Sequence, residues 1–142
     1  MTAQYFIDTN ILLYAGSGAN EDRAKKTIAR QLLAQADIGF SAQVMQEFYS
    51  AAVSKERLSI THDEALNILE ALSPFPVLPI DRELVLQAIE IRIRYQVSYW
   101  DAAIIAAAKR LGCDILYSED LSQGQDYDGV TVVNPFLAVP SS

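Results

Sequence analysis

Several things are scarce in this chain, and each scarcity excludes a class of chemistry. Cys113 is the only cysteine among 142 residues. No disulfide can close within the chain, and a reducing, cytoplasmic setting is the expectation. His62 is the only histidine. No Cys/His zinc spacing can be written, and a Ser–His or Cys–His nucleophile would have to recruit His62, which nothing in the pattern brings near Ser118 or Cys113. Neither phosphate-binding glycine pattern, GxGxxG or GxxxxGK[ST], occurs. The longest small-apolar run is "AAIIAAA" at 102–108, far short of the ~20 residues that span a bilayer, so no membrane partner is expected. The opening "MTAQYF" places no basic segment before an apolar one, and no secretory signal is read there. Cations are also few: 11 Lys and Arg stand against 18 Asp and Glu, a net charge of −7. That balance weighs against non-specific affinity for nucleic acid, which depends on cations meeting phosphates. A concentrated acidic pocket can nevertheless coexist with a basic rim, and bound cations reverse the local sign.

What is present is ordinary globular material: 51% of the residues are apolar and 20% charged. The length fits one domain, residues 1–142, with one core. Five short apolar runs bounded by polar residues read as strands, at 5–7, 38–40, 77–79, 115–117 and 130–133. Helical patterns lie between them, at 21–36, 43–55, 62–72, 82–95 and 99–111. Thr61 and Glu64 have capping-box spacing, Asp81 is a suitable N-cap, and Gly112 is a suitable residue just past a helix end. The stretch from the fourth to the fifth strand reads as a loop. Alternating strands and helices imply an α/β fold, with a five-stranded parallel sheet flanked by helices on both faces. In such sheets ligands bind beyond the carboxyl ends of the strands.

That rule directs attention to five acids. Asp8 follows the first strand, in "YFIDTNILLYA". Glu119 and Asp120 follow the fourth, in "ILYSEDL". Glu47 sits in "VMQEFY" and Asp101 in "SYWDAAIIAAA", both on apolar helices. Each has a plain alternative. Asp8 could cap a helix starting at Thr9, and Asp101 fits a capping box with Ser98. Glu47 could point outward from an amphipathic helix, and Glu119 and Asp120 could be turn acids. Together, however, they stand where the fold rule places a site. Carboxylates gathered in one pocket take up protons or bind cations, and an all-oxygen donor set suits a hard divalent ion, Mg²⁺ or Mn²⁺.

In order and approximate spacing, "FIDTNILLYA", "QEFY", "SYWDAAIIAAA" and "LYSEDL" resemble the motifs of PIN-domain ribonucleases, in particular the VapC-type toxins of toxin–antitoxin pairs. The likeness runs from Tyr5 to Phe136, through the closing "GVTVVNPF". It implies a single PIN-like domain with a five-stranded parallel sheet and a metal-dependent endoribonuclease. Matched position by position, it implies Asp8, Glu47, Asp101 and Asp120 as the catalytic acids, with Asp8, Asp101 and Asp120 on the metal. Asn10 and Ser118 would orient those acids, and Glu119 lies between matched positions. It further implies hydrolysis by a metal-activated water, an RNA substrate, a cognate antitoxin and a homodimer. Lys55, Arg57, Lys109 and Arg110 are the candidate RNA contacts, each otherwise a solvated surface charge. The run "LVLQAIEIRIRY" is the candidate subunit interface, unless it simply packs on the core. Two rivals use the same acids: a Mg²⁺-dependent phosphate-handling α/β domain, and a non-catalytic acidic module that holds a basic partner. The first lacks the Asp-x-Asp or the late lysine that phosphatase-like and receiver-like folds would show.

Overall fold

In a computed structural model that describes residues 1–139, the first strand is central. β1 (Tyr5–Ile7) pairs in parallel with β2 (Ile38–Ser41) on one side and with β4 (Ile115–Tyr117) on the other. β3 (Val77–Leu78) extends the sheet beyond β2, and β6 (Val130–Val133) extends it beyond β4, both in parallel. A two-residue strand, β5 (Asp126–Tyr127), closes the edge antiparallel to β6, giving the order β3-β2-β1-β4-β6-β5. Successive side chains on a strand point to opposite faces. Phe6 and Ile7 are both fully buried, so both faces of the central strand are covered.

The covering helices are α1 (Thr9–Gly16), α2 (Arg23–Leu33), α3 (Ala42–Ser54), α4 (His62–Glu70), α5 (Arg82–Tyr95) and α6 (Tyr99–Arg110). Five of the six start at a side chain that accepts a backbone N–H: Asp8, Ser41, Thr61, Asp81 and Ser98. These caps are why the helices begin where they do. α6 is the interior helix, with Ala102 through Ala108 all buried. It ends at Arg110 with Leu111 as its C-cap, and Gly112 follows at φ +78°, a left-handed position that suits glycine. Among the described residues no helix is long and apolar enough to cross a membrane.

Among the described residues the sheet has six strands rather than the five expected. The extra one, β5, lies in the stretch read as a loop. It is held by a tight turn in which Asp128 (φ 55°) and Gly129 (φ 98°) link Tyr127 to its partner Val130. An Asp-Gly pair between two strand residues is a hairpin signal, and here it was present in "DYDGV". The third strand stops at Leu78, short of Pro79, while the second runs on to Ser41. The helix expected at 21–36 is shorter, beginning after a 3₁₀ turn at Asn20–Asp22 and ending at Leu33. Residues 140–142 of the expected 1–142 domain lie outside the described residues.

The chain fills β1, β2 and β3 in one direction and then returns to the other side of β1 with β4. The reversal lies between β1 and β4, and the crevice at their carboxyl ends is where a doubly wound sheet binds ligands.

Candidate active site

Asp8 leaves the end of β1 with its backbone N–H donating to the carbonyl of Tyr117 at 3.1 Å, so it belongs to the last rung of the ladder. Its side chain is almost fully buried. Oδ1 accepts from the backbone N–H of Thr9 at 2.7 Å, and Oδ2 accepts from the hydroxyl of Ser118 at 2.7 Å. Asp8 thus caps α1 and also lines the crevice. Each oxygen of a carboxylate has two acceptor directions, so one remains on Oδ1, while the second on Oδ2 is approached by Asn10 Nδ2 at 3.5 Å.

The other acids are tied to this one through short bridges. The Thr9 hydroxyl donates to Glu47 Oε1 at 2.8 Å, linking α1 to α3. Asn10 Nδ2 donates to Asp120 Oδ2 at 3.1 Å and reaches Asp8 Oδ2 at 3.5 Å. Asn10 Oδ1 accepts from the backbone N–H of Glu119 at 3.3 Å. Ser118, fully buried behind the cleft, accepts from the backbone N–H of Asp120 at 3.1 Å. Asp101 enters from the first turn of α6, where its backbone N–H donates to the Ser98 cap at 3.1 Å. Its carboxylate nonetheless lines the same cleft.

That cleft, about 370 Å³, is lined by Asp8, Glu47, Asp101, Glu119 and Asp120, with Lys55 and Arg57 as its cations. Five carboxylates face two cations, and burial compounds the imbalance. Asp8 is pushed up from 3.8 to about 6, chiefly by burial, with Asp120 and Glu47 adding repulsion while Ser118 and Thr9 oppose it. Asp101 is also raised, first by burial and then by Asp120, against a lowering contribution from Ser98.

Glu119 is bound differently. It accepts from the Tyr14 hydroxyl at 2.7 Å and pairs with Lys25 at 2.5 Å. Lys25 also lies over the Tyr14 ring, 4.7 Å from its centroid. Of the candidate basic residues, Lys55 and Arg57 reach the cleft, and Arg57 is held there by Glu21 and Asp22. Lys109 and Arg110 do not. They line a separate opening of about 400 Å³ between α5 and α6. There Lys109 pairs with Asp128, and Arg110 donates twice to Asp81, at 3.1 and 3.0 Å. That opening is slightly the larger of the two, but its cations already face carboxylates, and it gathers no reactive group.

Thr9, Tyr14, Gln43 and Lys25 are contributors that the sequence expectations do not include. Thr9 stands between Asp8 and Asn10, both of which they do include. Gln43, four positions before Glu47 on one helix face, donates to Glu47 Oε2 at 3.4 Å and to the Trp100 carbonyl at 3.1 Å. That spacing was a usable signal. Lys25 and Glu119 lie 94 positions apart, and no local pattern connects them.

Among the described residues no group of three or more His, Cys, Asp or Glu side chains is arranged to hold a metal ion as it stands. The donor set still fits one kind of ion. All the acidic side chains of the cleft offer hard oxygens, and Mg²⁺ is commonly held by one or two carboxylates, with waters and substrate phosphate completing its shell. A divalent ion would also relieve the charge that burial now pushes toward protonation.

The PIN domain profile matches residues 5–125. No curated protein matches the sequence significantly. Among solved structures, the sarcin–ricin-loop-cleaving toxin VapC20 of Mycobacterium tuberculosis superposes with a TM-score of 0.66 at 20% identity, covering 82% of this chain and 90% of that one. A chain of a toxin–antitoxin complex from Klebsiella pneumoniae also gives 0.66, at 22% identity, covering 93% and 98%. DNA-bound VapBC from Salmonella typhimurium gives 0.63 at 17% identity, covering 92% and 97%.

Proposed function

This chain belongs to the PIN-domain family, and from that premise we propose that it is a Mg²⁺- or Mn²⁺-dependent endoribonuclease and the toxin of a toxin–antitoxin pair. The observation that carries the reading is the cleft itself. Five carboxylates from β1, α3, α6 and the end of β4 line one crevice at the switch point of the sheet, around a buried Asp8.

Asp8, Asp101 and Asp120 would hold the cation, with Glu47 facing it across the cleft. When bound, the cation supplies Lewis acidity, making a water nucleophile more acidic and neutralising charge on a phosphodiester. The chain's own part is orientation. Ser118 and Thr9 fix the two oxygens of Asp8, Asn10 holds Asp120 beside it, and the Thr9 hydroxyl turns Glu47 toward both. Glu47, which lines the same cleft, would take up the proton that the attacking water gives up, leaving Asp120 to the cation. Lys55 is the cation on the rim with no carboxylate partner among the described ion pairs, and it is the proposed phosphate contact.

The structural relatives include an RNA-loop-cleaving toxin and two toxin–antitoxin assemblies, which supports RNA as the polymer and an antitoxin as the partner. The test is direct. Purified protein is expected to cut RNA with Mg²⁺ or Mn²⁺ and not with EDTA, and Asp8→Asn is expected to lose at least ~100-fold of that activity. Equal cutting by the two proteins would trace the activity to a contaminant. Cleavage of simple phosphate esters without cleavage of RNA would favour a general phosphate-handling domain instead.

A further inference from the structure

Trp100, the only tryptophan in the chain, is 64% exposed. Burial of an indole is among the largest stabilisations any side chain can supply, yet here the ring stands in water, one position before Asp101. The backbone beneath it is anchored. Its carbonyl accepts from the buried Gln43 at 3.1 Å, and the same amide group reaches Glu47 at 3.4 Å. Tyr99 packs edge-on against the indole, with ring centroids 5.0 Å apart at 81°. The ring thus occupies a defined station on the rim, lining both the acidic cleft and a narrower groove formed with Gln46, Ile80 and Leu84.

The same rim is poor in what commonly holds a polynucleotide. Lys55 and Arg57 are its cations, and Arg57 is already engaged by Glu21 at 2.8 Å and Asp22 at 3.1 Å. With a net charge of −7, ion pairing supplies little hold on an RNA. Stacking of an unpaired base on an aromatic face does not depend on net charge.

We propose that Trp100 is the stacking platform for one unpaired nucleobase next to the phosphodiester presented to the carboxylates. This rests on the nuclease reading above and narrows it. Bases in a duplex remain paired and stacked on one another, and none is free for the indole. A protein occupant of the ring is the competing possibility. Protein anchors favour desolvated apolar surroundings, whereas the cleft side of Trp100 carries Asp101, Glu47 and Asp120.

Because the tryptophan is unique, its fluorescence reports its own occupancy. Asp8→Asn protein in Mg²⁺, titrated with a pool of RNA hairpins with randomised loops, is expected to show saturable quenching. A fully paired duplex of equal length is expected to show none. In the otherwise wild-type protein, Trp100→Leu should raise KM on the hairpin pool roughly ten-fold while kcat stays within about three-fold. Trp100→Phe, which keeps an aromatic face, should stay within about three-fold of wild type on both. An unchanged KM for Trp100→Leu overturns the proposal, as does equal quenching by duplex and loop. It is also overturned if Trp100→Leu cuts normally but no longer associates with a second copy of the chain, which would assign the ring to a protein interface. If the wild-type protein cuts no RNA with either cation, the nuclease reading falls and this proposal falls with it.

Discussion

A carboxylate that is almost wholly buried is costly unless something compensates for it, and the compensation around Asp8 is incomplete. Ser118 and Thr9 each donate one hydrogen bond, yet burial still pushes the group from 3.8 to about 6. The sign of the consequence follows. The folded state binds this proton more tightly than the unfolded chain does, so the stability linked to Asp8 is greatest below about pH 4 and declines as pH rises through about 6. A shift of that size corresponds to at most about 3 kcal/mol. Urea unfolding of metal-free wild type and Asp8→Asn between pH 4 and 7 is the measurement. The wild type is expected to lose stability relative to the variant across that interval, and a constant difference would contradict it. Ser118→Ala removes both the donor to Asp8 and the acceptor for the Asp120 N–H. The expected cost is about 1–3 kcal/mol in folding and about 10- to 100-fold in activity or metal affinity. Ser118→Thr should recover most of the activity.

At the scale of the elements, the site depends on where helices start. Ser41 ends β2 and caps α3, accepting from Val44 N–H at 3.3 Å, and that start carries Glu47 to the cleft. Much of this was legible in the sequence. Strand–helix alternation and caps such as Asp81 and Thr61 are local, and the resulting element order located the crevice. What was not legible is what depends on distant partners. Nothing near Glu119 announces that Lys25 and Tyr14 will engage it, and nothing near Lys109 and Arg110 announces that α6 carries them to its far end, toward Asp128 and Asp81. β5 was missed for a different reason: at two residues it is too short for alternation to register, although its turn had the right chemistry. α5 presents Leu86, Ile89 and Ile93 to solvent, with Ile93 66% exposed. If this stripe is the homodimer interface, Ile93→Glu should shift the protein to monomer in light scattering at micromolar concentration while the monomer's unfolding midpoint barely changes. An unaltered mass would dismiss α5 as the interface.

Taken as a whole, the molecule is an anion, with a net charge of −7, and the proposed substrate is another anion that the proposed divalent cation would reconcile with it. Metal bound only by the folded chain stabilises it by mass action, by about 2.7 kcal/mol at a hundred-fold excess over Kd, which is about 5–10 °C in Tm for a domain of this size. Mn²⁺ should therefore raise the Tm of wild type well above the effect of NaCl at matched ionic strength, and Asp8→Asn should lose most of the increment. Equal responses in the two proteins would detach the metal from this cleft. The central place of β1 has one more consequence, and it concerns synthesis. Asp8 emerges from the ribosome well before the hydroxyl that orients it, which arrives 110 residues later. At ~5–20 residues per second, that interval is roughly 5–20 s of translation. Throughout it the growing chain has the first acid of the cleft and lacks the last, so on the nuclease proposal the nascent chain holds only part of its site until β4 and the residues after it have been made.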